Sequence, residues 1–97
     1  MKDILLALIV NQQNRFSNAN DPVTPGTLTR LHIHLGVWAK DRDLKLKIFQ
    51  EMLNLPDLKS TKDLSMAQAV AFINLCESPT FQFYLEATYG RKTHEPV

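Results

Sequence analysis

The chain has 97 residues, 44% of them hydrophobic and 22% charged. That is the size and composition of one folded domain, and it excludes both a second core and a disordered chain. The 11 Lys and Arg against 10 Asp and Glu leave a formal net charge of +1, which excludes the broad positive field that drives sequence-independent phosphate binding.

The first element is Asp3, Ile4, Leu5, Leu6, Ala7, Leu8, Ile9 and Val10. It is apolar nearly all the way round, with Asp3 suited to the positive end of a helix dipole. Such a helix must be covered on several sides, by its own domain or by a second copy, so residues 4–10 are a candidate surface for homo-oligomer formation. The same run is too short to cross a membrane and no small-residue cleavage site follows it, so no membrane association is expected. Residues 12–23, rich in Asn, Gln, Ser, Asp and Pro, read by composition as a loop or a flexible linker and the one plausible internal boundary within a single 1–97 domain.

Thr24 and Pro25 then supply an N-cap and a first helical residue, and Leu28, Leu31, Leu35 and Trp38 follow at helical spacing. Gly36 in that stripe marks either a close helix contact or an early end. A short turn leads to a third helix. It opens on Asp41 and Asp43, carries Leu44, Ile48, Phe49, Met52 and Leu53, and is stopped by Pro56. Ser65 and Gln68 form a capping box, with Leu64 placed to staple onto Ala69, so a helix starts at Ser65 or Met66 and runs through Val70, Ile73 and Leu75. Ser78 and Pro79 open a last helix with Phe81, Tyr84, Leu85 and Thr88, ended by Gly90; residues 91–97 read as a frayed tail. With no alternating run of useful length, the fold expected is all-α, an orthogonal or bundle-like array of four to five short helices.

The chain has no glycine-rich phosphate cradle, nucleophile elbow or paired carboxylates, so no enzyme active site is expected. His32 and His34 stand two apart and point to different helix faces, and His94 lies in the tail, so no metal and no cofactor is expected. Cys76, flanked by Leu75 and Glu77, lacks an activating base and reads as a core thiol. A single cysteine also forms no internal disulfide, which makes a reducing, cytoplasmic setting the expectation. The Phe81 to Tyr84 run sits between Glu77 and Glu86 and reads as packing rather than a base-stacking platform.

What remains is a basic cluster: Lys40, Arg42, Lys45 and Lys47 at the third helix, and Lys59 and Lys62 before the capped helix. Asp41, Asp43, Asp57 and Asp63 interleave with it, so one reading is a solvated face. The sharper reading is a basic rim, with Arg42, Lys45, Lys59 and Lys62 around an apolar pocket lined by Phe49, Leu53, Leu55 and Leu58, suited to an acidic peptide or its terminal carboxylate.

Residues 28–75 resemble the C-terminal domain of phage single-strand annealing recombinases of the lambda Red beta type. The resemblance is carried by Leu28, Thr29, Arg30 and Leu31, by Asp41, Arg42, Asp43 and Leu44 opening a helix, and by Ser60 to Val70 opening the next. The pattern is also similar to small phage DNA-transaction proteins of the Mu regulatory type. Residues 4–10 and the aromatic last helix have no counterpart in it. The resemblance implies a helical module that docks a partner exonuclease and the acidic tail of a single-stranded-DNA-binding protein. The function expected is therefore a non-catalytic adaptor in phage-type DNA recombination or replication, touching nucleic acid weakly or indirectly. The alternatives are a small helical DNA-binding or regulatory protein and a self-associating structural protein.

Overall fold

The structure, a computed structural model, describes residues 2–36 and 41–90. Trp38, Lys40, His94 and the tail from residue 91 lie outside the described residues. Five α-helices run in chain order: α1 (Lys2–Arg15), α2 (Pro25–Leu35), α3 (Arg42–Met52), α4 (Met66–Cys76) and α5 (Pro79–Tyr89). A single turn of 3-10 helix, Thr61–Asp63, precedes α4. The described residues contain no strand, only an isolated bridge between Pro22 and Ser65, and the all-α expectation holds.

Helix α4 is the axis of the fold, packing against α1, α2 and α5. Its sequence explains why. Ala67, Ala69 and Ala71 are buried and small enough to let neighbouring backbones approach, while Phe72, Ile73 and Leu75 fill the space between them. The ring of Phe72 lies 4.8 Å from Phe49 of α3 and 5.4 Å, edge to face, from Phe81 of α5. All three rings are fully buried, each removing apolar area worth about 1.5–3 kcal/mol. Tyr89 at the end of α5 donates a 2.8 Å hydrogen bond to Glu51 of α3. Burial, then that bond and the carboxylate charge, push its phenol far above the usual range.

Residues 12–23 are not a linker. Helix α1 continues through Arg15, Ala19 is buried, and the segment after it runs alongside the start of α4. The N–H of Met66 donates to the carbonyl of Asp21 and that of Ala67 to the carbonyl of Ala19, both at 2.9 Å. The N–H of Gln68 donates to Ser65 Oγ at 3.2 Å, and the N–H of Ser65 to Gln68 Oε1 at 2.9 Å. The exposed donors at a helix start are thus taken up by the predicted capping box together with a loop whose composition looked mobile.

The ends of α2 and α3 are set by left-handed residues. Gly36, at φ 61°, closes α2 with its N–H on the carbonyls of His32 and Ile33, so the glycine marks an early end. Helix α3 stops at Met52, ahead of the expected Pro56, because Asn54 takes φ 55°. The N–H of Leu55 then reaches back to the carbonyl of Gln50 at 2.9 Å, the six-to-one bond of a Schellman end, which asparagine tolerates better than most residues. Helix α1 buries one side only: Leu5 and Ile9 are covered, while Ile4, Leu6 and Val10 are exposed.

Candidate functional site

Two helical faces and one turn enclose an open cleft of about 360 Å³. Helix α2 contributes Leu28 and His32, four apart and so on one face. Helix α3 contributes Arg42, Lys45 and Leu46, again one face, and the segment before α4 contributes Lys59, Ser60, Thr61 and Lys62. Each segment is held locally. Asp41 Oδ1 accepts the N–H of Leu44 at 3.0 Å and starts α3. Ser60 Oγ accepts the N–H of Lys62 at 3.2 Å and shapes the 3-10 turn. Gln50 donates to the carbonyl of Leu58 at 2.7 Å and ties the intervening loop back to α3.

The cleft therefore gathers four cations, Arg42, Lys45, Lys59 and Lys62, over half-buried Leu28 and Leu46. Among the described residues lining it there is no carboxylate. The acids that interleave with these lysines in the sequence go elsewhere. Asp41 is spent on the helix cap, Asp43 is exposed in the first turn of α3, and Asp57 and Asp63 line a different cleft with Leu55, Pro56, Leu58 and Gln68. Lys47 is exposed and is absent from the cleft lining, being two residues on from Lys45 and so turned well away from it.

None of the four residues expected to line the pocket is in this cleft. Phe49 is fully buried against Phe72, and Leu53 is 5% exposed. The spacing that placed them with Arg42 and Lys45 is correct for one face of α3, but the helix runs inward. Its first turns line the cleft and its last turns enter the core, so the same stripe changes from charged to apolar along the axis. Leu55 and Leu58 line the other cleft. The apolar part of the site is instead Leu28 and Leu46.

His32, which helical spacing separates from His34, is half-buried and lines the cleft with Lys45. Its Nδ1 is buried with no hydrogen-bond partner among the described residues. Burial first, and the charge of Lys45 second, hold its pKa below the usual imidazole value of 6.5. The sequence signal that places it is its i, i+4 relation to Leu28, but which helix faces that pair is not written in either helix alone. Among the described residues no three His, Cys, Asp or Glu side chains come together in a geometry that could hold a metal ion. Cys76 is buried in α4, and among the described residues no helix is long and apolar enough to cross a membrane.

Compared with known proteins, the chain matches no family model, no curated protein and no solved structure.

Proposed function

We propose that the chain is a non-catalytic adaptor that docks an acidic segment of a partner protein in the cleft between α2, α3 and the turn before α4. The observation that carries this reading is the sorting of charge: cations from two separate segments converge over an apolar floor, and no carboxylate is among the described residues that line the cleft. Arginine and lysine in such a cleft recognise carboxylates through charge-assisted hydrogen bonds, and the leucines beside them suit an apolar side chain next to the acidic run. A local patch on a chain of net charge +1 fits a short acidic peptide better than a long phosphate backbone, which rewards an extended positive field.

The resemblance to the annealing-recombinase domain supplies a setting, phage-type DNA recombination or replication. In that setting the ligand is the acidic tail of a single-stranded-DNA-binding protein or an acidic segment of an exonuclease. The test is a chemical-shift titration with an aspartate-rich, phenylalanine-terminated peptide. Shifts concentrated at Arg42, Lys45, Leu46, Lys59 and Lys62 are expected, and their absence overturns the reading. A parallel titration with a short DNA duplex separates the alternatives, because a DNA-binding protein would bind it with an affinity that collapses as salt rises.

A further inference from the structure

We propose that His32 is a proton-dependent anchor of the basic cleft, its imidazolium ring pairing with a bound carboxylate once protonated, so that acidic-ligand binding takes up a proton and tightens below neutral pH. This rests on the reading of the cleft as an acidic-peptide site.

The argument is geometric. His32 stands on α2, one turn from Leu28, and lines the same cleft as Arg42 and Lys45 of α3 and Lys59 and Lys62 of the turn segment. Every charged group that faces it from these elements is a cation. Its Nδ1 is shielded from solvent and has no hydrogen-bond partner among the described residues, so the neutral ring is not held by a competing bond there. In the empty cleft the imidazole is better neutral, because burial and the Lys45 ammonium both oppose a further positive charge. An acidic peptide opposes the second of these and compensates the first: its carboxylates cancel the lysine field and pair with the imidazolium. The pKa of His32 therefore rises on binding, and by linkage the affinity rises as the pH is lowered across that interval. The neighbouring His34, two residues on, faces another side of α2 and should not respond.

The experiment follows the His32 ring proton by NMR through a pH titration of the full chain, alone and saturated with the aspartate-rich peptide, with affinities measured at about pH 7.5 and about pH 5.5. The expected result is a higher titration midpoint in the complex and binding tighter by about fivefold to tenfold at the lower pH, the consequence of roughly one pKa unit of coupling. His32→Gln should lose the pH dependence of binding, while His34→Gln keeps it. An unchanged midpoint, or a pH dependence that survives in H32Q, overturns the proposal and leaves the docking site standing. No binding at either pH overturns both. Should H32Q fail to fold, the wild-type midpoint alone decides.

Discussion

Helix α4 and the basic cleft are made from adjoining stretches of chain, and they treat polar groups in opposite ways. Along α4 the side chains that meet α1, α2 and α5 are small or apolar, and the donors at its start are satisfied by Ser65, Gln68, Ala19 and Asp21. In the cleft four cations face one another across a leucine floor, and the one imidazole has an unmet nitrogen. The first region is finished without a ligand, whereas like charges held together lower stability and leave a field for something else to neutralise. Stability and recognition are therefore separable in this molecule, which makes the contrast open to mutation.

The largest effect is expected in the first region. Phe72→Ala removes the ring that joins Phe49 to Phe81 and should cost about 3–5 kcal/mol, measured by urea denaturation. A loss under about 1 kcal/mol would mean that α4 is not the axis of the fold. Next comes the cleft: Lys45→Glu with Lys62→Glu should weaken acidic-peptide binding by at least about tenfold, one unit of 1.4 kcal/mol. It should leave the denaturation midpoint unchanged or raise it, because repulsion is relieved. A fall in stability as large as the loss in binding would erase the distinction between the two regions.

Smaller effects sharpen the same contrast. Ser65→Ala removes the cap at the start of α4 and should cost about 1 kcal/mol without altering peptide affinity. Asn54→Ala forces a Cβ residue less tolerant of the left-handed region into φ 55° and should cost about 1 kcal/mol, while Asn54→Gly should be near neutral. The smallest effect concerns pH. Because His32 is held below 6.5 in the folded chain, the unfolded chain binds its proton more readily. The corresponding stability is present above 6.5 and is lost as the pH falls through the lowered value. The parent should therefore lose more stability than His32→Gln between about pH 7.5 and pH 5.5, read as the difference between their urea midpoints.

How much of this was legible depends on how local the cause is. The starts of α2, α3 and α4 could be read because Thr24, Asp41 and Ser65 bond to N–H groups three residues ahead. The cations of the cleft were legible as a cluster because helical spacing puts Arg42 and Lys45 together. The inward course of α3 was not, so Phe49 and Leu53 were assigned to the wrong side of the boundary between pocket and core. Residues 12–23 misled for a related reason: polar composition describes what a loop prefers in isolation, and the carbonyls of Ala19 and Asp21 found their partners on α4, more than forty residues away. Pro56 seemed the obvious stop for α3, but Asn54 acts earlier through its backbone conformation.

The sequence by itself determined the helices and the starts of α2, α3 and α4, since each follows from periodicity or from bonds spanning three or four residues. Tertiary structure alone decided which charges share a space. Asp57 and Asp63 lie close in sequence to Lys59 and Lys62, yet the turn of chain between α3 and α4 leaves both acids out of the cleft that the two lysines line, where His32 joins them from α2. Periodicity fixes the direction of a side chain about its own helix, but a site is a meeting of several helices, and only their packing sets that.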